Sequence, residues 1–199
     1  MTDGERPALR RRLRAARRAV GAAERPGAAI AVDAALHRLG LPRPHTRIAA
    51  YRPMDGEIDP AIVLRRAKAL GCEILYPVIT NLRSRRMRFA IDGIGTEGAT
   101  PDLHSGHWLD LVLVPLVGFD TRGNRLGMGG GFYDRHFAFL RNRQAWRRPL
   151  LIGLAFDVQR VPRLSDAAHD VPLWGIVTER GIYGRAAAHA RGPSRGRGG

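Results

Sequence analysis

Apolar side chains recur every three to four residues in two segments near the start of the chain, residues 7–20 and 28–39. This spacing puts them on one face of a helix, so the pattern predicts two amphipathic helices. A third helical pattern covers residues 61–70. A fourth covers residues 132–143, while residues 1–6 are predicted to be disordered.

Continuous apolar runs alternate with these helical patterns. The longest is "LDLVLVPLVGF", residues 109–119, which is typical of a parallel strand that helices cover on both faces. Shorter runs predict further strands at residues 47–53, 72–79, 149–156 and 174–183, with residues 86–91 as an edge strand or hairpin arm. Strands that alternate with helices predict a single α/β domain with a mostly parallel sheet.

Two segments lack a regular pattern. Residues 93–107 are rich in glycine, proline and threonine and are predicted to form a long surface loop. After Gly184 the chain has little aliphatic bulk. We therefore expect a domain over residues 1–184, followed by a disordered, arginine- and glycine-rich tail over residues 185–199.

The composition is that of an ordinary globular protein, with 44% hydrophobic and 26% charged residues in a chain of 199. No apolar run approaches the ~20 residues of a membrane-spanning helix, and no signal-peptide pattern follows the basic N-terminus. The single cysteine, Cys72, cannot form an intrachain disulfide. We therefore expect a cytoplasmic protein without a membrane partner.

The formal net charge of +15 favours a negatively charged partner, such as nucleic acid, a membrane surface or a phosphorylated ligand. Nearly all of the positive charge is arginine, since Lys68 is the only lysine. A GC-rich genome produces the same bias, and part of the excess lies in the terminal segments. The charge therefore leaves a nucleic-acid-binding module open as an alternative to an enzyme acting on small molecules.

The stretch "NRLGMGGGFYDR", residues 124–135, follows the strongest predicted strand and leads into a predicted helix. In parallel sheets such a glycine-rich turn lies at the edge where ligands bind, and its backbone N–H groups can approach an anion. Arg122 and Arg125 flank the turn. A carboxylate beside a phosphate needs a cation between them, so Asp134 is interpreted as a magnesium ligand.

The same residues also have structural explanations. A glycine cluster can form a tight turn, and Asp134 can simply stabilise the start of a helix through the helix dipole. The spacing matches neither the Walker motif nor the dinucleotide-binding fingerprint. The prediction of a phosphate site therefore depends on the order of strand, glycine loop and helix.

Residues 109–137 resemble the signature of the 5-formyltetrahydrofolate cyclo-ligase family. Three further segments resemble the family in the same order: "ALRRRLRAARRAV" (8–20), "IAAYRPMDGEID" (48–59) and "GLAFDVQRVPRLSDAAHDVPLWGIVTE" (153–179). Together they cover about residues 6–180. The resemblance implies a single three-layer α/β/α domain of Rossmann-like character.

The resemblance also implies a reaction. The family's activity is the ATP-dependent cyclisation of 5-formyltetrahydrofolate to 5,10-methenyltetrahydrofolate, with Mg²⁺ and with release of ADP and phosphate. The γ-phosphate activates the formyl oxygen, N10 attacks the formyl carbon, and phosphate departs. Such a transfer requires mainly positioning and neutralisation of charge. The implied partners are therefore ATP and a folate, and we expect a monomer.

Matched by position, the resemblance implies three groups of site residues. The ATP site takes Arg6, Arg10, Arg125, Leu126, Gly127, Met128, Gly129, Gly130, Gly131, Phe132 and Tyr133. The folate site takes Arg52, Glu57, Met128, Gly129, Gly130, Gly131 and Phe132. Magnesium falls to Asp134 and Asp170.

These assignments have simpler alternatives. Arg10 can belong to a solvated helix face, Glu57 and Asp170 to ordinary turns, and Tyr133 to the core. The sequence also departs from the family pattern at several positions. Arg6 replaces a usual lysine, Met128 and Phe132 replace frequent tyrosines, and Glu97-Gly98 replaces a usual Glu-Pro.

These departures bear on substrate affinity more than on reaction type. They leave open a paralogue that uses ATP on another folate-like compound. A nucleic-acid-binding module is a further alternative, but the chain lacks the interleaving of aromatic and basic residues that such a module needs.

Overall fold

The sheet and its helices are seen in a computed structural model, which describes residues 5–91, 102–141, 148–165 and 170–190. The strands in these ranges are β1 (Arg47–Ala49), β2 (Glu73–Asn81), β3 (Arg86–Ile91), β4 (Leu111–Pro115), β5 (Gly118–Phe119), β6 (Arg125–Leu126), β7 (Leu150–Leu154), β8 (Gly175–Val177) and β9 (Ile182–Gly184). The α-helices are α1 (Glu5–Arg18), α2 (Glu24–Arg38), α3 (Ala61–Ala69), α4 (Phe132–His136) and α5 (Arg185–Ala190).

Seven strands form the main sheet, in the order β3-β2-β1-β4-β7-β8-β9. The five central strands are parallel, and β3 and β9 add antiparallel edges. Strand β4 lies at the centre and is buried on both faces, as its apolar run predicts. The predicted single α/β domain with a mostly parallel sheet is therefore confirmed.

Each face of the sheet packs against its own hydrophobic core. Leu113 of β4 belongs to the core that contains Leu36 of α2 and Val63 of α3. Val112 of β4 points the other way, into the core that contains Phe137 just after α4. Successive strand residues alternate between faces, so one strand supplies both cores.

The structure divides the long apolar run of residues 109–119. Strand β4 ends at Pro115, and β5 leaves the main sheet to pair with β6 as a separate two-stranded ribbon. The carbonyls of Leu116 and Val117 accept hydrogen bonds from the buried amide of Gln159 instead of from a neighbouring strand. An apolar run in the sequence does not show where the backbone will form hydrogen bonds with a side chain instead of with a neighbouring strand.

Two sequence-based boundaries of helices were also wrong. Glu5 and Arg6 belong to α1 instead of a disordered end, while residues 1–4 lie outside the described residues. The predicted helix over residues 132–143 ends at His136 and continues as a short 3-10 turn. Residues 142 and 143 also lie outside the described part.

The predicted tail begins with a helix, α5. Its Ala186 is fully buried, and its backbone N–H donates to the carbonyl oxygen of Trp174 at 3.0 Å. A Cβ on Gly175 would come within 2.3 Å of the Ala186 Cβ, so these two small residues allow the close approach. Residues 191–199 of the predicted tail, and residues 93–101 of the predicted loop, lie outside the described residues.

His136 connects α4 to the segment before β4. Its Nε2 accepts a hydrogen bond from the Gly106 N–H at 3.1 Å, and its ring meets Phe89 edge-on. An accepting Nε2 carries no proton, so the imidazole is neutral here. Burial, with a smaller effect from the nearby Arg88, lowers the pKa of His136 to about 4.

We expect this neutral histidine to make folding pH-dependent. Because the folded-state pKa lies below the unfolded value of about 6.5, its contribution is complete above that value and is lost as the pH falls towards 4. Urea unfolding should show that the free energy of unfolding of the wild type falls between pH 7 and 4.5. In His136→Asn this part of the fall should be absent. An NMR titration of the His136 ring with a midpoint near 6.5 would contradict this expectation.

Candidate active site

A cavity of about 680 Å³ opens at the carboxyl end of β4, where Pro115 forms part of its wall. The regions that surround it are distant in sequence: the start of α1, the loop after β1, the β2–β3 hairpin, the glycine loop with α4, and the segment at Asp170. Parallel sheets bind ligands at this edge. The predicted residues that line the cavity are Arg6, Arg10, Arg125, Leu126, Gly127, Met128, Gly129, Gly130, Gly131, Phe132, Tyr133, Asp134 and Asp170.

The glycine loop presents a continuous run of backbone donors. Within the described ranges, no backbone N–H from Gly127 to Asp134 donates a hydrogen bond to another residue. Gly129 and Gly131 have φ angles of 101° and 65°, a left-handed conformation that glycine adopts without a steric penalty. A loop of this kind can surround an anion with N–H groups.

Helix α1 brings two arginines to the loop. Arg6 and Arg10 are four residues apart and so lie on the same face of the helix. Arg10 Nε donates to the carbonyl oxygen of Gly127 at 2.9 Å. Arg6 Nη2 donates to the carbonyl oxygen of Ser165 at 3.1 Å and lies 3.8 Å from Asp170 Oδ2. The predicted meeting of the first helix with the glycine loop is thus present.

Asp134 is part of a clamp that joins the loop to a later segment. Its Oδ1 accepts from Arg125 Nη2 at 2.5 Å and from the Val171 N–H at 3.0 Å. Arg125 Nη1 also donates to the Val171 carbonyl oxygen at 2.5 Å. The clamp holds Asp170, the residue next to Val171, beside the same cavity.

The two aspartates suit magnesium better than metals that need many protein ligands. No group of three or more His, Cys, Asp or Glu residues within the described ranges could hold a metal. Magnesium commonly uses one or two carboxylates together with phosphate oxygens and water. Both bonds to Asp134 use Oδ1, and its Oδ2 makes no hydrogen bond with another described residue.

A buried charge cluster lies behind the cavity. The side chain of Arg17 is only 1% exposed. Its guanidinium donates to Asp55 Oδ2 at 2.8 Å, to Glu57 Oε1 at 3.3 Å and to the Leu116 carbonyl oxygen at 3.3 Å. Helix α1, the loop after β1 and the end of β4 therefore meet at one side chain.

The two carboxylates of this cluster have opposite pKa shifts. Hydrogen bonds from Arg18 and Arg14 lower the pKa of Asp55 to about 2. Burial raises the pKa of Glu57, although the Met54 N–H and Arg17 act in the opposite direction. Arg17 thus keeps a buried carboxylate in a position where it can accept hydrogen bonds.

Neither Glu57 nor Arg52 forms part of the cavity wall. Glu57 nevertheless lies near it, because the Met54 N–H that bonds Glu57 Oε2 at 3.2 Å belongs to a residue that lines the cavity. Tyr133 also lines it, and burial raises the pKa of Tyr133, with a smaller contribution from Glu57. Arg52 instead stacks over the ring of Tyr76, 4.4 Å from its centroid.

Sequence reasoning did not find the wall that the β2–β3 hairpin provides. Pro77, Ile79, Arg85 and Met87 all line the cavity from this side. The sequence suggests a hairpin arm at residues 86–91, but only the folded chain shows that the arm lies against the glycine loop. No local motif marks these residues.

Comparisons with known proteins show which family this chain belongs to. The family model described as "5-formyltetrahydrofolate cyclo-ligase family" matches residues 2–179. The chain belongs to the 5-formyltetrahydrofolate cyclo-ligase family. The 5-formyltetrahydrofolate cyclo-ligase of Escherichia coli K12 is 30% identical over 155 residues, which are 70% of this chain and 80% of the relative.

Two other cyclo-ligases differ in how far they align. The enzyme of Mycolicibacterium smegmatis is 28% identical over 197 residues, 92% of this chain and 98% of the relative. The enzyme of Haemophilus influenzae is 46% identical over 69 residues, and the match spans only 35% of each chain.

Solved structures of 5,10-methenyltetrahydrofolate synthetases share the fold of this cyclo-ligase family member. The Mycoplasma pneumoniae protein has a TM-score of 0.73 and 26% identity, over 89% of this chain and 99% of the other. The Aquifex aeolicus protein has a TM-score of 0.70 and 25% identity, over 89% and 91%. Among the described residues, no helix is long and apolar enough to span a membrane.

Proposed function

We propose that the protein is an ATP- and Mg²⁺-dependent 5-formyltetrahydrofolate cyclo-ligase. It forms 5,10-methenyltetrahydrofolate and releases ADP and phosphate through a phosphorylated formyl intermediate. The observation that carries the proposal is the run of backbone N–H groups from Gly127 to Asp134. These residues line the cavity, and their N–H groups donate no hydrogen bond to any described residue. The proposal includes a monomeric, cytoplasmic enzyme.

The nucleotide end of the site consists of the glycine loop and α1. The loop N–H groups would bind phosphate oxygens, and Arg6 and Arg10 would add positive charge from the helix. Six arginines and two aspartates line the cavity, so its wall is strongly basic. Preorganised donors of this kind stabilise the charge that develops during phosphoryl transfer.

The folate end is expected near Glu57. A pterin presents N–H groups along one edge, and a carboxylate can accept hydrogen bonds from two of them. Arg17 and the Met54 N–H orient the Glu57 carboxylate by binding its two different oxygens. Met128 of the glycine loop and Phe132 at the start of α4 add apolar surface to the cavity wall.

Magnesium would be held by Asp134 and Asp170, the two carboxylates of the cavity. When bound, the ion neutralises negative charge on the nucleotide phosphates. In the protein alone, Arg125 and Arg6 pair with these two carboxylates and balance part of their negative charge. The Val171 N–H fixes the orientation of the Asp134 carboxylate.

A direct assay tests the proposal. The methenyl product absorbs in the near-UV, so the purified protein mixed with 5-formyltetrahydrofolate, ATP and Mg²⁺ should show a rising absorbance. Omitting ATP or adding EDTA should abolish the rise. Folded protein that produces no signal with this substrate, but does so with another N-formyl folate, would identify the paralogue that the Met128 and Phe132 departures leave open.

Part of the basic charge has an explanation inside the fold. Arg66 pairs with Asp33, Arg122 pairs with the fully buried Asp120, and Arg17 lies in the interior. These arginines stabilise contacts between segments instead of forming an external patch. We therefore favour the enzyme over a nucleic-acid-binding module; the latter would require binding that weakens with salt.

A further inference from the structure

The β2–β3 hairpin extends well beyond the parallel part of the sheet. Strand β1 pairs with β2 only at residues 73–75, whereas β3 accompanies β2 as far as Asn81. At about 3.3 Å per residue, the arm projects roughly 20 Å past that pairing. Ile79 and Met87 are cross-strand partners on its cavity face, and both line the cavity.

Large apolar side chains around the cavity remain strongly exposed. Ile79 is 49% exposed, Met54 is 61% exposed and Met128 is 50% exposed. All three line the cavity, although they come from the hairpin, the loop after β1 and the glycine loop. Converging apolar groups of this kind are typical of a surface that a ligand covers. We call these three residues the apolar strip.

Arg85 lies beside this strip at the turn of the hairpin. A Cβ on Gly131 would lie 3.1 Å from Arg85 Nη1, so the guanidinium reaches across to the glycine loop. Arg85 is exposed and forms no ion pair with any other described residue. Its φ of 53° lies in the left-handed region, which is unfavourable for residues other than glycine, asparagine and aspartate.

Two arginines at the loop, Arg10 and Arg125, already have acceptors in the protein. Arg10 donates to the Gly127 carbonyl oxygen, and Arg125 pairs with Asp134. Arg85 differs from both because it enters from the hairpin, next to the apolar strip. We therefore expect a ligand with an apolar part that covers the apolar strip and, next to it, a negatively charged group that binds Arg85.

We propose that Arg85 binds a carboxylate of the glutamate moiety of the folate substrate, while the aromatic ring of the p-aminobenzoyl group covers the apolar strip. The proposal rests on the proposed function. 5-Formyltetrahydrofolate joins its pterin to this ring and then to glutamate, so an apolar segment precedes the carboxylates. A guanidinium binds a carboxylate through two parallel hydrogen bonds.

Kinetics of Arg85→Asn test this assignment. Asparagine tolerates the left-handed backbone, so the substitution removes the charge and preserves the turn. With 5-formyltetrahydrofolate, KM should rise about tenfold, as expected for one charge-assisted contact at an exposed site. With 5-formyltetrahydropteroate, which has no glutamate, KM should equal that of the wild type. The kcat and the KM for ATP should not change.

Arg88→Gln is the matched control. Arg88 lies on the same hairpin, pairs with Val78 and does not line the cavity, so all its kinetic constants should match the wild type. Arg85→Asn would overturn the assignment by raising KM equally for both folates, by raising the KM for ATP, or by changing nothing. A wild-type protein without activity on 5-formyltetrahydrofolate would instead overturn the proposed function.

Discussion

Replacing Asp134 with asparagine is expected to lower kcat by about 100-fold, the upper end of the usual effect of removing a group that orients or supports a metal site. Asparagine preserves the size of the side chain and one oxygen. It removes the charge that pairs with Arg125 and that magnesium would require. The methenyl absorbance assay measures the change, and the Mg²⁺ concentration at half-maximal rate should rise in parallel.

Asp110→Asn provides a closely matched control. Asp110 accepts from Arg148 Nη1 at 2.5 Å and from the Arg47 N–H at 3.0 Å, so it also combines one arginine with one backbone donor. It directly precedes β4 and therefore lies at the opposite edge of the sheet from the cavity. We expect near-normal turnover there. Near-normal rates in both variants would show that the carboxylate of Asp134 has no role in the reaction.

Replacing Arg17 with methionine is expected to reduce the free energy of unfolding by about 3–5 kcal/mol, the usual cost of removing one partner from a buried ion pair. Methionine fills much of the volume but leaves Glu57, whose side chain is 6% exposed, without its guanidinium. The Leu116 carbonyl oxygen also loses a donor. Urea unfolding followed by circular dichroism measures the difference.

Arg18→Met is the control that separates the effect of losing a buried ion pair on stability from the effect of losing one positive charge. Arg18 also pairs with Asp55, yet its side chain is 57% exposed. An exposed ion pair contributes about 0–1 kcal/mol, so this variant should unfold close to the wild type. Similar losses in the two variants would indicate that the net charge of α1 matters, and would contradict a specific role for the buried Arg17.

Much of the fold follows from local patterns. The apolar runs of β4 and β7 mark central strands because both faces of each are covered, and three helical patterns correspond to α1, α2 and α3. The helix α5 was missed because its burial depends on one alanine, Ala186, that fits against Gly175. Such a fit between small residues produces no apolar periodicity.

The site shows the same division. The glycine loop and Asp134 could be predicted because strand, loop and helix are contiguous in the sequence. Arg85 could not, since it reaches the loop through the pairing of a distant hairpin. Arg17 carries the same charge as its exposed neighbours on α1, and only the tertiary contacts distinguish it. The ligand assignments of all these site residues, including Arg52 and Glu57, stay predictions.

The clamp between Asp134 and Val171 also determines when the site can form as the chain is synthesised. A nascent chain that ends before residue 170 has the glycine loop but lacks Asp170 and the Val171 N–H, which orients the Asp134 carboxylate. Until those residues leave the ribosome, the site proposed for ATP and magnesium is incomplete. If these ligands bind as proposed, they stabilise the finished domain but do not guide the folding of its first part.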